Sequence, residues 1–212
     1  MKHTKPPKPS TNYREIRAKH TPKTITVYQA YSPTIAIPAL EAQTLVPPFS
    51  RSRMTWIKPS FLWMAYRSGW ASKPNQEHIL AIEITREGFE WALQNSCLSH
   101  YTPGNDIERD EWQAKMRASP VRVQWDPERD LDLGFRPLNH RSIQIGLSAE
   151  AVGMYLDRWI VSITDVTGVM KKVEGLLKDG DVEGARACLP EETVYPLSEE
   201  LQELLKMGRI RF

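Results

Sequence analysis

The run His78–Thr85 (HILAIEIT) constrains this chain most. Apart from Glu83, its interior is apolar. It lacks the in–out alternation of a half-exposed strand, so both of its faces need cover. That demands a layered fold with helices on a sheet, and the flanking sequence offers the layers. Thr24–Ala30 (TITVYQA) reads as a strand. Ser32 can cap a helix with Pro33 at its first position, ending near Ala42. Met54–Lys58 reads as a short strand. Ser60 caps an apolar helix, Phe61–Trp70, closed by Gly69. Arg86–Ser96 reads as a helix with Phe89, Trp91 and Ala92 inward.

Further along, Val121–Asp126 (VRVQWD) and Arg141–Leu147 (RSIQIGL) alternate in polarity, as strands with one polar face do. Residues 99–120 show no period and read as a long irregular stretch. Ser148 caps another helix, and Ile160–Asp165 is a strand. Gly168–Lys178, Val182–Cys188 and Ser198–Met207 read as three short amphipathic helices. The expected class is α+β: a mixed, largely antiparallel sheet flanked by helices, with a short C-terminal helical appendage. With 212 residues, the chain suits one domain of ordinary size.

Charge divides the chain in three. Residues 1–23 carry seven Lys/Arg and one acid. Residues 24–167 and 168–212 are each mildly acidic. The first part therefore reads as a basic, Pro-rich, flexible arm, able to follow a phosphate backbone or simply to solvate the chain. The middle holds all seven Trp, so it reads as the folded and functional body, with the C-terminal helices packed on it.

Several chemistries are excluded. There is no P-loop, dinucleotide glycine pattern, HExxH, CxxC or nucleophile elbow. Two cysteines cannot build a disulfide framework, and the five His have no ligand spacing. No metal and no cofactor is expected. No apolar run is long enough for a membrane span, and the N-terminus is not a secretory signal, so a cytoplasmic protein is expected.

The residues that offer chemistry fall into clusters. Tyr28, Gln29 and Tyr31 end the first strand. Arg53, Trp56 and Lys58 run into Trp63, Tyr66 and Arg67. Guanidinium beside aromatic rings suits phosphates and bases, although the same residues also suit an aromatic core with surface cations. Gln76, Glu77 and His78 open the central strand, where a carboxylate can act as a base or grip a guanidinium. Arg122, Gln124, Asp126 and Glu128, with Arg141, Ser142 and Gln144, lie on strands. If solvent covers their face they are ordinary surface residues; if a helix does, they must pair or bind something. Cys97, near Ser99 and His100, reads as a nucleophile or as a plain buried thiol. Glu83 faces either a pocket or an exposed strand end.

The runs VYQAY (27–31), RMTWIKPSFLWMAYRSGWA (53–71), QEHILAIEITREGF (76–89), VRVQWDPERD (121–130), RSIQIGL (141–147) and DRWIVSITDVT (157–167) resemble the uncharacterised-domain family numbered 4291, found in bacteria and fungi. The resemblance spans residues 12 to 167. A fungal branch of that family is similar to the arginine-containing cyclodipeptide synthases. What this implies is an enzyme that takes arginine from arginyl-tRNA, joins it to a residue from a second aminoacyl-tRNA and cyclises the pair. The implied partners are two aminoacyl-tRNAs, with no membrane and no DNA. Aminoacyl esters are already activated, so the absence of an ATP motif fits.

No catalytic residue transfers from the family. From the chain's own residues, Tyr28, Glu77 and His78 are the candidates for proton transfer. Gln29, Tyr31, Trp56, Trp63, Tyr66, Gln76, Gln124, Asp126, Glu128, Ser142 and Gln144 are the candidates for substrate contact. Among them Asp126 and Glu128, with Glu77, can grip a guanidinium. Arg53, Lys58, Arg67, Arg122 and Arg141 are the candidates for tRNA. Two other readings stand beside this one. One is an ADP-ribosyltransferase-like enzyme holding NAD near Tyr28, Tyr31 and Glu77. The other is a non-enzymatic RNA-binding module.

Overall fold

The computed structural model describes residues 13–101 and 108–208. Residues 1–12 of the expected arm lie outside that range. Residues 13–23, read with the arm, belong to the fold: Ile16 and Ala18 are fully buried. Strand β1 (Arg17–Ala18) leads to β2 (Thr24–Tyr31), α1 (Pro33–Ala42), β3 (Thr55–Ile57) and α2 (Phe61–Ser68). Then come β4 (His78–Thr85), α3 (Arg86–Gln94), β5 (Ser96–Leu98) and α4 (Arg109–Ala118). The chain continues with β6 (Val121–Arg129), β7 (Pro137–Leu147), α5 (Ala149–Met154) with a π-helical turn at Tyr155–Trp159, and β8 (Ile160–Asp165). It closes with α6 (Thr167–Lys178), α7 (Val182–Ala187), β9 (Thr193–Val194) and α8 (Glu199–Leu204).

The fold is α+β, as the polarity pattern requires. One antiparallel sheet has the order β2-β4-β8, with the apolar β4 in its centre. A second has the order β3-β7-β6-β5, antiparallel except for the β5–β6 pair. The two meet where the Tyr28 N–H donates to the Lys58 carbonyl at 2.7 Å. β1 pairs with β9, so the first and last strands close on each other.

Two cores result. Ile25 and Val27 of β2, with Leu80, Ile82 and Ile84 of β4, pack against α1, α3, α5 and the inner face of β6–β7. On the other side, Tyr28 and Ile79 pack under α2, α6 and α7 through Phe61, Met64, Met170 and Val173. β4 is therefore covered on both sides, which explains its near-continuous apolar run.

Helix α2 is set by its ends. The Ser60 side chain accepts the Trp63 N–H at 3.1 Å, and Gly69 takes the left-handed conformation at φ 58°. The position expected for Ser32 and Ser148 is right, but neither side chain makes a cap bond. The stretch read as irregular contains α4, and β5 follows α3 where the helix was expected to run on. The C-terminal helices form where expected and pack on the body. Tyr195, Leu201 and Leu205 lie in the first core, and Met170, Val173 and Ala185 in the second.

Candidate functional site

A cavity of about 590 Å³ opens beside the junction of the two sheets. Its walls come from the end of β2 (Ala30, Tyr31), the segment Arg53–Lys58, α2 (Met64, Arg67) and the turn before β4 (Pro74 to Gln76). Tyr31, Arg53, Trp56, Lys58, Arg67 and Gln76, all expected from the sequence, are brought together here. Three of the lining residues are cationic and none carries a carboxylate.

Lys58 is the centre of this arrangement. It is 5 % exposed, and its Nζ stands 5.1 Å from the centre of the Trp63 ring. It forms no ion pair among the described residues. Burial pulls its pKa down to about 7; the Arg67 guanidinium adds to this and the Asp126 carboxylate opposes it. An amine in that state is a proton acceptor at neutral pH. Lys58, a candidate tRNA contact, is buried in the wall of the cavity.

Gln29 shapes the cavity from behind. Its Nε2 donates to Thr55 Oγ1 and to the Trp56 carbonyl, both at 3.1 Å, and its Oε1 accepts from Tyr155 OH at 3.0 Å. Its amide is spent inside the protein, so it positions β3 rather than touching a substrate. Tyr31 OH lies 3.4 Å from Thr55 Oγ1, and burial raises its pKa to about 12. Trp56 lies opposite Gly146 of β7, and only the missing side chain there leaves room for its ring.

Helix α2 packs against β6, and most polar groups on this face of β6–β7 pair. Asp126 accepts from Gln124 Nε2 at 2.9 Å and from Gln144 Nε2 at 2.6 Å. This amide cradle fixes the carboxylate that acts on Lys58. Ser142 is buried, and Glu128 is 9 % exposed with Oε1 accepting the Arg129 N–H at 2.8 Å. Arg122 is partly buried, its Nε without a partner among the described residues. Arg141 is a clamp: Nη1 donates to the Trp125 carbonyl at 2.9 Å and Nε to Tyr13 OH. Tyr66 is stacked under Arg129, 3.7 Å from the guanidinium carbon, and outside the cavity.

The three residues expected to transfer protons do not meet. Tyr28 is buried edge-on to Phe61, and burial together with nearby Glu192 raises its pKa. His78 Nδ1 is 2.8 Å from Asp165, whose other oxygen accepts the Thr167 N–H, so the pair anchors the start of α6. Glu77 Oε1 accepts the Asn75 N–H at 2.9 Å, while Oε2 is buried with no partner among the described residues. Cys97 is buried and its thiol pKa is pushed up by that burial. His100 meets Ser99 Oγ at 3.1 Å instead. That favours the plain buried thiol.

Glu192 has no counterpart in the sequence reading. Its Oε1 accepts the Phe61 N–H at 2.7 Å, capping α2 from the C-terminal segment. Burial lifts its pKa to about 8; the Phe61 N–H lowers it and Glu128 raises it further. A second cavity, of about 310 Å³, lies on the same side of β2 as Tyr28 and includes Phe61, Glu83, Cys188 and Pro190. No group of three or more His, Cys, Asp or Glu side chains among the described residues is placed to hold a metal. No helix among them is long and apolar enough to cross a membrane.

No curated protein and no solved structure matches this chain. The family model described as "Domain of unknown function (DUF4291)" matches residues 15–195. The match runs past residue 167, where the resemblance was expected to end, and takes in α6, α7, Glu192 and β9. Both cavities and every side chain that lines them thus fall within one family match, and the chain belongs to the domain-of-unknown-function family DUF4291.

Proposed function

We propose that the chain is a tRNA-dependent cyclodipeptide synthase that uses the larger cavity as its reaction centre. The observation that carries this reading is Lys58: a buried amine, half-neutral near pH 7, in a cavity it shares with Arg53 and Arg67 and that no carboxylate lines. Synthesis from two aminoacyl esters needs an anion site for the tRNA end, a base for an α-ammonium, and shelter from water.

In this reading, Arg53 and Arg67 hold backbone phosphates, and Trp56 offers a face for a terminal base. Neutral Lys58 takes a proton from the α-ammonium of one aminoacyl ester. The freed amine attacks the carbonyl of the other ester; as the C–N bond forms and the C–O bond breaks, the nitrogen's second proton passes to the departing ribose oxygen, and Lys58 releases the ammonium proton to solvent. The same proton movements then serve the ring closure, in which the dipeptidyl ester's amine expels the second ribose hydroxyl. No external acid, metal or nucleotide is consumed. Gln29 and the Asp126 cradle position the groups around Lys58. The alternative NAD site gains no support, because Tyr28, Tyr31 and Glu77 do not line one cavity.

The test is expression of the chain in a host, with mass spectrometry of small products, beside Lys58→Met. The expected result is an arginine-containing cyclic dipeptide from the unmodified chain and none from the variant, with tRNA co-purifying with both. Folded, unmodified protein that yields no such product, or full activity in Lys58→Met, overturns the reading. Retained tRNA without product assigns the cavity to RNA binding alone.

A further inference from the structure

We propose that the second cavity binds a primary alkylammonium group, held on Glu83. This goes beyond the reading above and does not depend on it. Glu83 is the one charged residue inside an otherwise apolar central strand. Glu83 is half-buried there, at a cavity on the face where its row of the sheet is not covered by a helix, and its hydrogen-bond partners are neutral hydroxyls that leave its charge unmatched.

The register explains where it points. Thr26 of β2, Glu83 of β4 and Ser162 of β8 are directly paired across the sheet and share one face. The next row on that face is Tyr28, Ala81 and Thr164. Ala81 has the smallest side chain in these rows, and the floor dips there. The cavity over them measures about 310 Å³, the lower end of small-molecule sites at about 300–1,000 Å³. Phe61, Val166 and Val169 give it an apolar wall. An apolar stem with one polar end fits such a space.

The charge at that end follows from the acceptors. Glu83 forms no ion pair among the described residues. Its Oε1 accepts from Thr24 Oγ1 at 2.5 Å and its Oε2 from Ser162 Oγ at 3.1 Å. Those hydroxyls hold the carboxylate upright, and each oxygen keeps a lone pair for a ligand. Lys19 also lines this cavity; it is exposed and forms no ion pair with Glu83, and solvent screens its charge.

A guanidinium grips a carboxylate best through two parallel bonds to both oxygens, and here each oxygen already accepts from one hydroxyl. An ammonium donates in three separate directions. Glu83 and the Thr26 and Thr164 hydroxyls provide acceptors of that kind on one wall.

The test is an NMR titration of the full chain with n-butylammonium, n-butylguanidinium and neutral n-butanol. Saturable binding of n-butylammonium at millimolar concentrations is expected, weakened about tenfold or more by Glu83→Gln, the loss of one charge-assisted contact. Ala81→Leu, which keeps the carboxylate and fills the floor, should abolish binding, and it decides the matter if Glu83→Gln fails to fold. The proposal is overturned if n-butanol or n-butylguanidinium binds as tightly, if no ligand saturates, or if folded Glu83→Gln binds like the unmodified chain. The readout is binding alone, so its failure is separate from any failure to make a cyclic dipeptide.

Discussion

The Trp56 indole rests on the bare backbone of Gly146. The two are paired across β3 and β7, and a Cβ on Gly146 would lie 2.9 Å from three atoms of the ring. The aromatic wall of the larger cavity therefore depends on a glycine on a strand, the usual mark of a close approach.

Gly146→Ala should displace that wall. Overpacking of this kind costs about 1–3 kcal/mol. A lowered melting temperature, together with a shift in tryptophan emission, is the expected outcome. An unchanged melting temperature would mean that the indole moves aside freely.

Lys58→Met should remove product formation without destabilising the fold. The apolar side chain fills similar space and carries no charge to desolvate, so the variant should be at least as stable at pH 7. The pH dependence has a definite sign. Lys58 titrates near 10.5 when unfolded and about 7 when folded. Between those values the unfolded chain binds the extra proton, so this residue makes stability rise with pH. Urea denaturation from pH 7 to 10 should show that rise in the unmodified chain and a flatter profile in the variant.

Glu192 should act in the opposite direction. Its pKa goes from the ordinary 4.5 up to about 8 on folding. The folded chain then binds the extra proton, and this residue's contribution is lost as pH climbs through that window. Glu192→Gln keeps an acceptor for the Phe61 N–H and removes the titration. The difference in stability between the two proteins should grow in favour of the variant from pH 5 to pH 8. A constant difference would place an ionised carboxylate there throughout.

Gln43 closes the open edge of β8. Its side-chain amide accepts the Ile163 N–H at 2.8 Å and donates to the Ile163 carbonyl at 3.0 Å, as a neighbouring strand would. Gln43→Ala should cost about 1–2 kcal/mol and speed hydrogen exchange at the Ile163 amide. Gln43 itself sits at φ 54°, so Gln43→Gly should lose less than the alanine variant while exposing the same amide.

Much of the fold is legible because its period is strong. α1 and α2 begin or end on the Pro33, Ser60 and Gly69 signals that mark them, and β2 and β4 follow from their apolar, β-branched runs. α4 was missed because RDEWQAKMRA has no apolar face, and none of its residues is buried. β1, β5 and β9 are two or three residues long and take their conformation from the strand beside them. At the larger cavity, the residue types around Arg53–Lys58 point to anion chemistry, and the structure gathers them. Sequence spacing could not show that Lys58 turns inward, since its burial depends on Trp63 above it and β2 beside it. Nor could it show Glu192, whose only mark is a carboxylate in a loop, 131 residues from the amide it caps. Glu83, by contrast, stood out as the one charge in an apolar strand.

That cap has a consequence for the order of assembly. The first turn of α2 is capped by a carboxylate 131 residues further along, so that cap cannot close until Glu192 has been made. The β1–β9 pair closes at the same late stage. Contacts so distant in sequence form slowly. The smaller cavity, walled in part by Val166, Val169, Cys188 and Pro190, is completed by that same late segment, whereas every lining residue of the larger one lies between Ala30 and Gln76.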